Sequence, residues 1–294
     1  MIKFLNVVKD YEDGTRAVND ISFTAPGGKI TVLVGPSGCG KTTTLRMVNR
    51  LIDPTSGSIL LENVDTSTLN KIELRRQIGY VIQAAGLFPH RTVLDNVTTI
   101  PLLQKTDKRG RAEIKSRALQ LLELVGIDLS LAERYPWQLS GGQQQRVGVA
   151  RALAADPPYM LLDEPFSAVD PIVRKQLQDE FLAIQRKLAK TIIMVTHDIE
   201  EALKMGDQIV VFQEGGVIAQ VGSPDEIIAN PANSFVADFV GGAQEFALNL
   251  DTSSELVEAP QAARAARAIL VDADGKYLGA VDLSHIEGNS KLKV

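Results

Sequence analysis

The sequence predicts an α/β protein built on a mainly parallel sheet, and three observations carry that expectation. Short apolar, β-rich runs recur at 29–35 (KITVLVG), 159–165 (YMLLDEP) and 191–197 (TIIMVTH), each with the character of a buried strand. Stretches of helical periodicity separate them. Strands that alternate with helices belong to parallel sheets, because a parallel pair needs a crossover connection.

The elements follow in order. FLNVVKDY alternates loosely, and ISFTAP leads into a Gly-Gly turn. KITVLVG ends at Gly35. KTTTLRMVNRLI then places Leu45, Val48 and Ile52 at helical spacing and stops before Asp53-Pro54. GSILLEN and IGYVIQ (78–83) read as two further strands. Between about 93 and 139 Leu, Ala, Lys, Arg and Glu dominate, and Ile114, Ala118, Leu121, Leu122 and Val125 keep a helical period, so a helical insertion is expected there. GQQQRVGVARALAA is a helix ended by Asp156-Pro157-Pro158, and PIVRKQLQDEFLAIQRKLAK is another. DQIVVFQ and GVIAQVG make a closing hairpin. From about Gly241 the text turns small and polar, and AILVDADGKYLGAVDL reads as strand, DADG turn, strand.

Composition narrows the function classes. At roughly 100–200 residues per domain, 294 residues allow one large domain with an extension, or two small domains. Thirty-one basic against 36 acidic residues argue against a general nucleic-acid footprint. Cys39 is the only cysteine, so no intrachain disulfide forms, which suits a reducing cytosol. The N-terminus has no apolar h-region, so no signal peptide is expected. No run of about 18 apolar residues is present, so no membrane span is expected.

Gly35-Pro36-Ser37-Gly38-Cys39-Gly40-Lys41-Thr42 follows a strand and opens a helix. Glycines there let backbone N–H groups curl around phosphate oxygens, and the helix N-terminus adds its positive end. Lys41 is the residue for the β- and γ-phosphates and the Thr42 hydroxyl for Mg²⁺. The binding in this loop is by backbone, so Cys39 has no catalytic role. Asp163 and Glu164 end an apolar strand, where nucleotide sites of α/β sheets lie. Asp163 is the Mg²⁺-side carboxylate and Glu164 the candidate general base. His197 and Gln83 end two other strands. Each is a γ-phosphate or water contact, or else a plain polar strand terminus. Leu139-Ser140-Gly141-Gly142-Gln143 is a second glycine-bearing turn opening a helix. It is an anion site by the same physics, or simply a helix N-cap by Ser140. Tyr11 stacks on an adenine or is an ordinary half-buried tyrosine. Trp137 and Phe88 read as core or subdomain contacts.

Together these segments resemble the ATP-binding subunits of ABC transporters, in the family's order along residues 1–240. The loop at 35–42, continued by Thr43, matches Walker A and Gln83 the Q-loop. LSGGQ (139–143) matches the signature, and MLLDE the Walker B with its glutamate. Ser167-Ala168-Val169-Asp170 matches the D-loop, His197 the switch histidine and Tyr11 the adenine-stacking aromatic. The resemblance implies a P-loop NTPase of ABC type, with an N-terminal antiparallel β subdomain and a helical subdomain at about 84–155. It implies ATP and Mg²⁺, the latter held by Thr42, Gln83 and Asp163. It implies a homodimer in which Ser140 and Gly142 reach the nucleotide of the other chain and Asp170 lies across the same interface. Also implied are integral-membrane permease subunits at the cytoplasmic face of the cell membrane, served indirectly by an extracytoplasmic solute-binding protein.

Within the family, MVNRLIDPTSGSI, IELRRQIGYVIQ and GLFPHRTVLDNV resemble the importers of glycine betaine, carnitine or choline. The chain departs from that group at Ala84-Ala85, where a more polar residue is expected first. The tail at 241–294 resembles one strand–turn–strand piece of a CBS motif and is too short for a tandem pair, which favours a short structured appendage or dimer contact. A soluble ABC ATPase acting on DNA or ribosomes predicts tandem cassettes or basic arms, which this sequence lacks. A regulator without turnover predicts the loss of Glu164 or His197, and both are present.

Overall fold

The computed structural model describes residues 1–83, 86–104, 110–167 and 169–241, and the backbone of three tail strands at 247–249, 267–271 and 277–282. β1 (Ile2–Asp10), β2 (Arg16–Ala25), β4 (Ser56–Leu61) and β5 (Val64–Asp65) form an antiparallel sheet in the order β2-β1-β4-β5. The central sheet contains β3 (Ile30–Val34), β6 (Ile78–Val81), β7 (Tyr159–Asp163), β8 (Thr191–Thr196), β9 (Gln208–Gln213) and β10 (Val217–Gly222), in the order β10-β9-β3-β8-β7-β6. All its pairs are parallel except the β9–β10 hairpin at one edge.

Strand alternation sorts the core into two layers. Val32, Val34, Met160, Leu162, Ile192, Met194, Ile209 and Val211 face the helical side, where they join Val97, Leu121 and Val147. Leu33, Leu161, Ile193, Val195, Val210 and Phe212 face the other way, onto Leu45 and onto Ile2, Phe4, Ile21 and Ile59 of the antiparallel sheet. With both faces covered, the central strands are predominantly apolar, as a buried parallel sheet requires.

The helical insertion consists of α3 (Val93–Leu103), α4 (Arg111–Leu124) and α5 (Gly141–Leu153), and α6 (Pro171–Leu188) follows β7. The helix after the glycine loop, α1 (Lys41–Val48), stops four residues short of the expected Ile52. Arg50 adopts a left-handed φ of 52°, and the N–H groups of Arg50 and Leu51 return to the carbonyls of Met47 and Arg46. This is the Schellman closure, made here by an arginine in place of the usual glycine. Arg50 is held in it by Nη1 hydrogen bonds to the carbonyls of Thr66, Ser67 and Leu69 and by an ion pair with Asp53.

Four short helices have no counterpart in the periodicity: α2 (Lys71–Arg76), α7 (Ile199–Met205), α8 (Pro224–Ala229) and α9 (Ser234–Gly241). Trp137 is not a core residue. It is 73% exposed and stacks on Tyr135. Phe88 is partly exposed as well, and its ring has the guanidinium groups of Arg91 and Arg151 at 5.5 and 5.8 Å from its centroid, a contact within the helical subdomain.

In the tail, β11 (Ala247–Asn249) pairs parallel with β12 (Arg267–Val271), which pairs antiparallel with β13 (Tyr277–Asp282). The expected strand pair is therefore present, while its DADG turn and the rest of the CBS-like reading lie outside the described residues, as do Ala84, Ala85 and Ala168. Among the described residues no helix is long and apolar enough to cross a membrane.

One buried acid marks the packing of α6 against α7. Glu201 is 6% exposed and accepts a hydrogen bond from Gln178 Nε2 at 3.0 Å. Burial pushes its pKa above the ordinary carboxylate value, against the opposing pull of hydrogen bonds from Thr196 and Gln178. A raised folded-state pKa means that the stability Glu201 contributes is complete at low pH and is lost as pH rises through that value. Glu201→Gln keeps the acceptor for Gln178 and removes the charge. Its melting temperature is expected to exceed wild type by a few degrees near pH 8 and to match it near pH 4. Thermal melts at the two pH values check this.

Candidate functional site

The loop from Gly35 to Gly40 leaves β3 and enters α1 with a positive φ at each of its three glycines. At Gly40, φ is 93° and a Cβ would lie 2.1 Å from the Ala17 carbonyl oxygen. Gly38 has φ of 81° but open space around it. The loop is thus clamped near one end against the antiparallel sheet, with its crest clear. Lys41 is buried at 6% exposure, and its Nζ donates to the carbonyls of Gly35 and Pro36 at 2.8 and 2.6 Å. The ammonium group lies inside the ring of the loop, where an anion on the crest would feel it at low screening.

Asp163 ends β7 and is 5% exposed. Its Oδ1 accepts from Thr42 Oγ1 at 3.0 Å. Its Oδ2 accepts from Tyr80 Oη at 3.3 Å and lies 3.8 Å from Arg46 Nη2. Burial, with the neighbouring Asp163 charge, pushes the Tyr80 phenol pKa upward, so the hydroxyl stays a donor.

Glu164 follows with a left-handed φ of 46°. Its N–H donates to the Val195 carbonyl, and its own carbonyl accepts from Ser167 Oγ. Its Oε2 accepts from Gln83 Nε2 at 3.0 Å and lies 3.4 Å from His197 Nδ1. Residues from three strand ends therefore meet on one carboxylate oxygen, next to the Thr42–Asp163 pair.

Tyr11 is 40% exposed. Its Oη lies 3.4 Å from Thr43 Oγ1, and the Lys9 ammonium stands 5.4 Å from its ring centroid. Ser140 caps α5, and its Oγ accepts from Gln143 N while Gln143 Oε1 accepts from Ser140 N. The N-cap reading of Ser140 is thus present in the single chain. Leu139 anchors this turn in the core, Ser140 and Gly141 are exposed, and the hydrogen bonds of the Ser140–Gln143 pair run within the turn. Asp170 is exposed at the start of α6. Among the described residues no group of three or more His, Cys, Asp or Glu side chains is arranged to hold a metal.

Sequence reasoning passed over Tyr80 and Arg46. Their signal was positional: Tyr80 precedes Gln83 by three residues at the end of β6, and Arg46 follows Thr42 by four on α1, one helical turn along.

A family model described as ABC transporter matches residues 18–167. The chain belongs to the ABC transporter family. It is 52% identical over 246 residues to the osmoprotectant import ATP-binding protein OsmV of Salmonella typhimurium, covering 82% of this chain and 63% of that protein. It is 52% identical over 241 residues to the glycine betaine/carnitine/choline transport ATP-binding protein of Bacillus subtilis, covering 82% of this chain and 62% of that one. The match thus spans somewhat more than three-fifths of these relatives' length. The glycine betaine uptake system ATP-binding protein of Escherichia coli is 49% identical, with 82% of this chain and 77% of that protein aligned. Among solved structures, a dimeric ATP-binding cassette in a post-hydrolysis state bound to ADP and Pi superposes with a TM-score of 0.69. It has 33% identity and covers 76% of this chain and 99% of that one. The cassette architecture of the family, with its antiparallel β and helical subdomains, is the architecture described above.

The two glycines at the loop's crest and end separate two physical effects. Gly40→Ala meets backbone at 2.1 Å and is expected to lower unfolding stability by about 2–3 kcal/mol. Gly38→Ala meets only the left-handed backbone penalty of about 1 kcal/mol. Denaturant unfolding of both variants measures the difference.

Proposed function

We propose that this chain is the ATP-hydrolysing subunit of an importer for quaternary-ammonium osmoprotectants such as glycine betaine, carnitine or choline. It acts from the cytoplasmic face on separate membrane-spanning permease subunits, served indirectly by an extracytoplasmic solute-binding protein and without a nucleic-acid partner. The nucleotide unit occupies residues 1–240, with the helical subdomain at about 84–155 and the tail beyond as an appendage. The observation that carries the reading is the convergence of Gln83 and His197 on the Glu164 carboxylate beside the Thr42–Asp163 pair. The solute class is supported by the relatives, which are named as import ATP-binding proteins for osmoprotectants and for glycine betaine, carnitine and choline.

In this reading the backbone from Gly35 to Thr43 cradles the phosphates, with Pro36, Ser37 and Cys39 contributing main-chain groups, and Lys41 turns its ammonium to the β- and γ-oxygens. Tyr11 stacks on the adenine from the flank of the loop. The donor set suits Mg²⁺, a hard cation that takes one or two protein oxygens and completes its shell with phosphate and water: Thr42 Oγ1 and Asp163 Oδ1 lie 3.0 Å apart, and the Gln83 carbonyl adds an oxygen. When bound, Mg²⁺ neutralises charge on the β- and γ-phosphates. Glu164 accepts the proton of the attacking water. His197 and Gln83 hold Glu164 and face the γ-phosphate.

Hydrolysis by this scheme needs a second copy. The Ser140–Gly141–Gly142 helix opening, exposed at Ser140 and Gly141 and set between Leu139 and Gln143, covers the γ-phosphate held by the other chain. Asp170 lies in the same interface. The dimeric cassette among the structural neighbours supports this arrangement. Closure on two ATP and reopening after hydrolysis then drive the permease.

Two measurements test the scheme. Glu164→Gln is expected to lower the ATPase rate about a thousandfold while retaining ATP and accumulating as a dimer on gel filtration. Unchanged hydrolysis removes Glu164 from the general-base role. Co-expression with neighbouring permease candidates is expected to give uptake of labelled betaine, carnitine or choline after osmotic upshift, abolished by the same substitution. Uptake of none of the three overturns the solute class.

A further inference from the structure

Tyr80 and Arg46 take no part in the scheme above, yet both are aimed at its metal-side carboxylate. Asp163 Oδ1 faces Thr42 at 3.0 Å, while Oδ2 faces the Tyr80 hydroxyl at 3.3 Å and the Arg46 guanidinium at 3.8 Å. The donor direction is fixed by chemistry: an ionised carboxylate only accepts, so the single phenol proton of Tyr80 is directed to Oδ2. The tyrosine ring cannot swing away, because it packs against the buried cluster between the two sheets, and its strand is paired with β7 so that Tyr80 lies opposite Leu161.

A carboxylate at a strand end is free to rotate and present either oxygen. Two donors converging on one oxygen remove that freedom. Outer-shell partners of this kind orient metal ligands, and their loss commonly costs tenfold or more in metal affinity. We propose that Tyr80, backed by Arg46, is a positioning residue for Asp163: it holds Oδ2, so that Oδ1 stays beside Thr42 Oγ1 and is presented to the divalent cation of a metal–nucleotide complex. The inference rests on the nucleotide reading of the site given above.

The test uses the full chain with Tyr80→Phe, which keeps the ring and removes only the hydroxyl, and with Arg46→Met on the half-exposed side of the pair. Mn²⁺ is titrated by electron paramagnetic resonance at a saturating concentration of a non-hydrolysable ATP analogue. Affinity for a fluorescent ATP analogue is measured separately in excess EDTA. Tyr80→Phe is expected to weaken Mn²⁺ binding about tenfold and to leave metal-free nucleotide binding unchanged. Arg46→Met is expected to act in the same direction by about threefold, since its contact is longer and more exposed. A Tyr80→Phe titration that superposes on wild type overturns the positioning role, as does an equal loss of metal-free nucleotide binding, which marks a merely structural wedge. If Tyr80→Phe does not fold, unaltered Mn²⁺ affinity in Arg46→Met overturns the proposal. A wild-type chain that binds no nucleotide in EDTA and no Mn²⁺ with the analogue overturns the nucleotide reading itself, which separates that failure from the failure of the positioning role.

Discussion

In-register pairing of four parallel strands sets where the Glu164, Gln83 and His197 cluster and the start of the glycine loop lie. Val34 of β3 is opposite Thr196 of β8, Val195 of β8 is opposite Asp163 of β7, and Leu162 of β7 is opposite Val81 of β6. Each strand therefore ends within one residue of its neighbour. The residues that follow each end, namely Gly35, His197, Glu164 and Gln83, emerge on one rim although they are spread over more than half of the sequence. A slip of one residue in any pair would turn its side chains to the opposite face. The two-layered core forbids such a slip, because each strand carries one apolar set for the helical side and another for the antiparallel sheet. Burial on both faces is what makes the site geometry precise.

Much of this frame was legible in the residues because buried parallel strands have a distinctive text. KITVLVG, YMLLDEP and TIIMVTH are rich in apolar residues over a short span, and the polar residues near the ends of the second and third, Glu164 and His197, meet in the structure. Other parts were hidden for identifiable reasons. The short helices α2, α7 and α8 span only six or seven residues, too few for a period of 3.6 to register. Their caps at Asn70, Asp198 and Ser223 were the available signal. The early end of α1 was hidden because a left-handed arginine replaces the expected glycine, and what holds Arg50 there is a set of carbonyls from a different segment. Trp137 was misread because aromatic residues are mostly buried, and nothing in its neighbours marks it as exposed.

The second glycine-bearing turn shows why one motif supports two readings without contradiction. Ser140 uses its hydroxyl to cap α5, which satisfies a helix donor within the chain. The cap fixes the direction of the helix opening, and an exposed, rigid N-terminus is what an incoming anion needs. The same capping interaction therefore belongs to the folded single chain and to the paired assembly of the proposed function. Leu139 contributes by burial, tying the exposed turn to the core of the helical subdomain.

Adjacent acids raise a harder geometric question, since consecutive residues of a strand point to opposite faces. Asp163 and Glu164 would then serve different sides of the sheet. The left-handed φ of 46° at Glu164 breaks the alternation after Asp163 and brings both carboxylates to the rim, one toward Thr42 and the other toward Gln83 and His197. That conformation costs a non-glycine residue about 1–2 kcal/mol. It is offset locally, by the Glu164 N–H donating to Val195 and the Glu164 carbonyl accepting from Ser167. Glycine would adopt this backbone more easily but would supply no carboxylate. The strain is thus tied to the chemistry: the position needs both the turn and the acid, and the neighbouring strand and Ser167 hold the acid in the turn.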